Sequence, residues 1–185
     1  MPVSLNDRVE DCISRIIERF KENPELFLTE SDLKCRLFMK LNNDLVFSQE
    51  EVTGDGEKRT NYVHSETSYF VFGKLNKKRV DLTVVKPSNY NFKNEEVVYR
   101  KGFYFAEPSI AIELKLNKNK SKKKVEDELR AVLHDLERLR RSRPESSFYV
   151  LLLDKRKVFS EEEICGVQNE YQRIRIFYGS TDQAH

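Results

Sequence analysis

The sequence predicts an α/β fold with a mixed central sheet flanked by helices. Three observations carry that expectation. Residues 79–85 and 109–116 alternate apolar and polar side chains, as half-buried strands do. Residues 109–153 read strand, helix, strand, which is the pattern of a right-handed βαβ crossover between parallel neighbours. Two amphipathic helical segments precede β-rich sequence, so helices and strands interleave along the chain. At 185 residues the chain suits one core, and no repeat or linker divides it.

Residues 7–22 form the first expected helix. Val9, Ile13, Ile16, Ile17 and Phe20 share one face at 3.6-residue spacing, Asn6 or Asp7 is placed to cap the start, and Pro24 marks the end. Residues 30–43 form the second, with Thr29 or Ser31 as cap and Leu33, Leu37 and Leu41 as its apolar stripe. Glu30 lies on that stripe and so points toward the body of the protein. Residues 53–59 are a loop broken by Gly54 and Gly56. Residues 61–72, rich in Tyr, Val, Thr and Phe, suit one or two strands. In 79–85, Val80, Leu82 and Val84 take one face and Arg79, Asp81 and Thr83 the other, and Pro87 ends the strand. Residues 88–108 read as an insertion with its own hairpin pattern, 96–100 against 102–105. In 109–116, Ile110, Ile112, Leu114 and Leu116 oppose Ala111, Glu113 and Lys115. The helix at 122–141 carries Val125, Leu129, Val132, Leu133, Leu136 and Leu139 in register and stops at Pro144. Residues 147–153 are almost continuously apolar, as in a strand buried on both faces. A short helix at 161–170 and a strand at 173–178 complete the chain, followed by a polar tail.

Composition excludes several classes. The longest apolar runs are only a few residues, against the roughly 20 needed to span a bilayer. The start of the chain lacks a basic segment followed by an apolar one, so no signal peptide is expected. The three cysteines, Cys12, Cys35 and Cys165, include no CxxC pair, and read as reduced, buried thiols of a cytoplasmic protein. Neither a Gly-rich phosphate loop nor a GxSxG nucleophile motif is present. The net charge of +2 decides little. Its distribution is more telling: residues 115–124 hold six lysines and no acid, and a second basic run spans 138–143. Such runs read either as solvated surface or as a nucleic-acid footprint.

Chemistry is concentrated on two strands. Asp81 sits in the middle of one. Glu113 and Lys115, two residues apart, point to one side of the other. Ionisable groups within strands are costly unless they are paired or bind a cation. Paired carboxylates repel, and Mg²⁺, which prefers oxygen ligands, relieves the repulsion. A lysine beside such an ion suits the orientation of an attacking water and the offset of phosphate charge. A buried ion-pair cluster, or an ordinary polar sheet face, is the alternative account of the same three residues. For Glu30, the favourable helix N-terminal position is sufficient by itself. His64, alternating with Tyr62 and Glu66, reads as a structural or phosphate-contacting residue rather than a general base.

The segments Arg-Val-Asp-Leu-Thr-Val-Val (79–85) and Ile-Ala-Ile-Glu-Leu-Lys-Leu (110–116) are followed by a lysine-rich turn, a helix and the strand ending in Asp154. In this order they resemble the PD-(D/E)XK nuclease superfamily, the restriction-endonuclease-like group. Val80 stands where the family motif has proline. The resemblance implies an αβββαβ core over about 29–154 within a single nuclease-like unit, 1–185, to which helix 7–22 and residues 161–178 are additions. It implies that the two strands are neighbours, bringing Asp81 beside Glu113. Asp81, Glu113 and the Leu114 carbonyl would then hold Mg²⁺, with Mn²⁺ able to substitute, Lys115 would position or activate water, and Glu30 would match an acidic residue on the helix before the sheet. The implied function is metal-dependent hydrolysis of phosphodiester bonds, endo- or exonucleolytic, in DNA rather than RNA. Lys118, Lys120, Lys122, Lys123, Lys124 and His64 are the expected nucleic-acid contacts, and a homodimer or a partner protein would supply specificity. The alternative is a nuclease-like fold that binds nucleic acid or protein without cutting.

Overall fold

A computed structural model describes residues 3–54, 56, 59–71, 74–89 and 108–181. The hairpin pattern at 96–105 lies outside the described residues. The elements run α1 (Leu5–Glu22), α2 (Glu30–Asn42), β1 (Glu51–Val52), β2 (Arg59–Thr60), β3 (Val63–Val71), β4 (Lys74–Val84), β5 (Ile110–Asn117), α3 (Lys122–Ser142), β6 (Ser147–Asp154), α4 (Glu161–Glu170) and β7 (Ile174–Ser180). The two short strands β1 and β2 pair with each other and flank the segment expected to be loop, whose last residue, Arg59, falls in β2. The other five form a mixed sheet in the order β3-β4-β5-β6-β7. Its first three strands are antiparallel neighbours, and β5, β6 and β7 are parallel. The parallel pairs are linked through α3 and α4, because parallel neighbours require a crossover longer than a tight turn.

Two apolar clusters sandwich this sheet. On one face, Val9, Ile13, Ile16 and Phe20 of α1 and Leu33, Leu37 and Leu41 of α2 pack against Ile110, Ile112, Leu114, Tyr149, Leu151 and Leu153. On the other, Val125, Leu129, Leu133, Leu136 and Leu139 of α3 and Ile164 and Val167 of α4 cover Ala111, Phe148, Val150, Leu152 and Ile174. β6 therefore contributes to both clusters, and its residues from Phe148 to Asp154 are all buried. That accounts for its loss of polar alternation. Among the described residues no helix is long and apolar enough to cross a membrane.

The helix starts depend on capping chemistry. Thr29 caps α2 as expected, accepting from the Asp32 N–H at 3.0 Å while Asp32 accepts from the Thr29 N–H at 2.7 Å. α1 begins two residues earlier than expected. Ser4 is its cap and Asp7 is the reciprocal partner three residues on, while Asn6 donates to the Ser147 hydroxyl. A capping box satisfies two backbone donors at once, which a lone Asn6 or Asp7 cap does not. Thr29→Ala is expected to cost about 1 kcal/mol and to loosen the turn that carries Glu30. Urea denaturation of the variant beside wild type measures it.

Two other expectations are corrected. The cysteines are free, but only Cys12 is buried; Cys35 and Cys165 are exposed. Both lie off the stripes of their helices, which are set by Leu33 and Leu37 in α2 and by Ile164 and Val167 in α4. The expected common face of Val80, Leu82 and Val84 also fails. Leu82 and Val84 join the α1–α2 cluster and Val80 the α3–α4 cluster. The alternation changes sides at Asp81, where β4 parts from β5.

Candidate active site

β4 and β5 are antiparallel neighbours with Leu82 opposite Ile112, Thr83 opposite Ala111 and Val84 opposite Ile110. Pairing ends there, one residue short of Asp81 and Glu113. The Leu114 N–H, which has lost its strand partner, donates instead to Asp81 Oδ2 at 2.9 Å. A side-chain carboxylate thus takes over from a backbone carbonyl, and the divergence of the two strands opens the space in which Asp81 and Glu113 meet.

Their meeting changes their acid–base behaviour. Burial, and then the Asp81 carboxylate, push the Glu113 carboxyl up to about 8, with Lys115 acting in the opposite direction and Glu30 adding to the rise. A side-chain hydrogen bond to Asp81 further favours the protonated form of Glu113. A carboxyl removed from water beside a second carboxylate holds its proton more tightly, because burial and like charge both disfavour its ionised form.

Lys115 reaches back along its own strand. Its Nζ donates to the Leu114 carbonyl at 2.9 Å and to Glu30 Oε1 at 3.2 Å. Glu30 begins α2, so the expected fourth member is brought to the site through Lys115. Asp81, Glu113, Lys115, Glu30 and the Leu114 carbonyl are accordingly gathered in one place.

Two further charged groups belong to this cluster. Lys34, one turn beyond Glu30 on α2, pairs with Glu66 of β3 and lies 3.7 Å from Asp81 Oδ1. Burial opposes the Lys34 charge, but Glu66, Asp81 and Glu30 outweigh it and raise its pKa. Its membership is readable from the i, i+4 spacing to Glu30, a signal overlooked because Lys34 lies outside the motif strands. Glu66 stands across from Asp81, between the pairs Ser65–Leu82 and Thr67–Val80. Its backbone is left-handed, with φ of 54°.

The predicted nucleic-acid contacts are placed less centrally. Lys120 pairs with Glu128 at 2.6 Å and Lys122 pairs with Glu163. Lys118, Lys123 and Lys124 are exposed, with no carboxylate partner among the described residues. Lys120 and Lys115 line one small pocket, which neither Asp81 nor Glu113 borders. The His64 ring is partly buried and donates from Nε2 to the Asn61 carbonyl at 2.8 Å. Burial lowers its pKa, leaving a neutral imidazole already occupied by the backbone.

The donor set suits a hard divalent cation. Asp81, Glu113 and the Leu114 carbonyl offer only oxygen, the ligand type of Mg²⁺ and Mn²⁺. Among the described residues no group of three or more histidine, cysteine or carboxylate side chains is arranged to hold a metal ion. Mg²⁺ commonly takes only one or two carboxylates, with water and phosphate oxygens completing its shell. Asp81 and Glu113 are the two carboxylates available for that smaller requirement. No family model, no curated protein and no solved structure matches this chain.

Proposed function

We propose that the protein is a divalent-metal-dependent nuclease with a restriction-endonuclease-like core, hydrolysing phosphodiester bonds in DNA in preference to RNA. The observation that carries this reading is the half-buried Asp81–Glu113 pair at the divergence of β4 and β5, with Lys115 beside it. Asp81, Glu113 and the Leu114 carbonyl would hold Mg²⁺ or Mn²⁺. When bound, the cation supplies positive charge that polarises both the phosphate and the attacking water.

The chain's own residues do the rest. Asp81 is oriented by the Leu114 N–H, so one of its oxygens remains directed to the shared space. Glu113 must give up its proton before both carboxylates can ligate. Lys115 is restrained by Glu30 and the Leu114 carbonyl, which points its ammonium at the position where a water or phosphate oxygen would sit. The exposed Lys118, Lys123 and Lys124 supply sequence-independent attraction for the phosphate backbone. A second copy or a partner protein would supply substrate choice.

The test is cleavage of single-stranded, double-stranded and branched DNA, and of RNA, with Mg²⁺ or Mn²⁺. Asp81→Ala is expected to reduce the rate about 10²–10³-fold or more. An undiminished rate in that variant overturns the reading. DNA binding without cleavage on every substrate would instead assign a non-catalytic binding module.

A further inference from the structure

We infer that Lys34 is a positioning residue that exchanges between two carboxylates, Asp81 and Glu66, and so regulates how readily Asp81 accepts a divalent cation. This rests on the reading of Asp81 and Glu113 as a cation site.

The two oxygens of Asp81 are in different situations. Oδ2 is held by the Leu114 N–H at 2.9 Å. Oδ1 is the oxygen left for a cation, and Lys34 Nζ stands 3.7 Å from it. An ammonium at that distance partly offsets the charge of the carboxylate. It opposes a second positive charge arriving at the same oxygen. The Lys34 side chain is only 23% exposed, so solvent does not remove this opposition.

Glu66 gives Lys34 an alternative. Its carboxylate already pairs with Lys34. Its backbone reaches that position in the left-handed region, with φ of 54°, which is unfavourable for a non-glycine residue. The cost is explained if Glu66 must hold Lys34 away from Asp81. Lys34 can then keep Glu66 as its partner and give up Asp81 when Asp81 takes a cation, without having to enter water alone.

The exchange makes two variants act in opposite directions. Lys34→Gln removes the opposing charge and should tighten Mn²⁺ binding about three- to tenfold at 0.1 M-range ionic strength, where screening moderates the effect. Glu66→Gln removes the alternative partner, leaves Lys34 on Asp81, and should weaken Mn²⁺ binding by a similar factor. The double variant should bind like Lys34→Gln alone. Calorimetric titration of the full chain with Mn²⁺ reads all three, and thermal melting without metal accompanies each variant. A purely structural Lys34–Glu66 pair would lower the melting temperature in both single variants and leave their affinities together. Affinities within twofold of wild type, or shifted in the same direction, overturn the exchange. If Lys34→Gln fails to fold, Glu66→Gln decides alone: weaker binding supports the exchange and unchanged binding overturns it. Absence of Mn²⁺ binding by the wild type overturns the underlying cation site, and with it the exchange. Binding without DNA cleavage removes only the nuclease reading.

Discussion

Glu113→Gln is expected to abolish measurable Mg²⁺-dependent cleavage, a loss of about 10³-fold or more, while making the metal-free protein more stable at alkaline pH. The first effect follows from the donor set, because an amide supplies a weaker, neutral oxygen where a carboxylate is needed. The second follows from linkage. Burial and the neighbouring Asp81 raise the Glu113 carboxyl from 4.5 to about 8 in the folded protein. The native state therefore binds a proton that the unfolded chain has released. That contribution to stability is fully present below about pH 4.5 and is lost as pH rises through about 8. The loss is on the order of 5 kcal/mol. Glutamine mimics the protonated acid at every pH, so the variant should lack this decline between pH 5 and 9. Urea denaturation across that range, without metal and then with Mn²⁺, measures it. In wild type Mn²⁺ should offset the alkaline decline, since ligation favours the ionised carboxylate and releases its proton. A wild-type profile parallel to that of Glu113→Gln would show that Glu113 is ionised at neutral pH and that its pairing with Asp81 is wrongly assigned.

Asp154→Ala should be among the most destabilising single substitutions in the chain, by about 3–5 kcal/mol. Asp154 ends β6 and is fully buried. Its Oδ1 accepts from Asn117 Nδ2 at 2.8 Å and from the Arg156 N–H at 3.0 Å. Its Oδ2 accepts from the Val158 N–H at 2.7 Å and from the Tyr178 hydroxyl at 3.1 Å. One carboxylate thus closes the ends of β5, β6 and β7 together. Burial, and then the Asp154 charge, keep the Tyr178 hydroxyl protonated well above its ordinary range, so it remains a donor. Alanine would leave buried donors without acceptors, and each unsatisfied donor costs more than the hydrogen bond contributed. Asp154→Asn keeps the shape but turns an amide N–H₂ toward donors, and should fall between the two. A shift in the urea midpoint with an unchanged slope is the expected readout. A loss below about 1 kcal/mol would mean that water satisfies these donors.

These two residues also separate what is readable at different levels. Glu113 was conspicuous in the sequence because a charge in the middle of an alternating strand violates the pattern around it. Asp154 was not, since an acid at the end of an apolar strand looks like an ordinary exit to solvent. Only the parallel register of β5, β6 and β7 brings Asn117 and Tyr178 to it. Lys34 was hidden for a related reason: a lysine one turn along a helix is unremarkable until the opposite sheet presents carboxylates.

By itself, the sequence determined the helix and strand positions of most of the described chain. Periodicity is a local property: 3.6 for α1, α2 and α3, and two for β5. It determined as well that Glu113 and Lys115 share a face, because strand geometry requires it. Tertiary structure decided everything that depends on contacts between distant segments. It made β4 the neighbour of β5, so Asp81 meets Glu113 across the long interval between their strands. It moved Val80 to the opposite face by letting Asp81 replace a backbone partner at Leu114. It added Lys34 and Glu66 to the cluster and exposed two of three cysteines. The physical reason is that side-chain periodicity specifies which way a residue points within its own element. What it points at depends on strand pairing and helix docking, which burial of the two apolar faces settles only when the whole chain is folded.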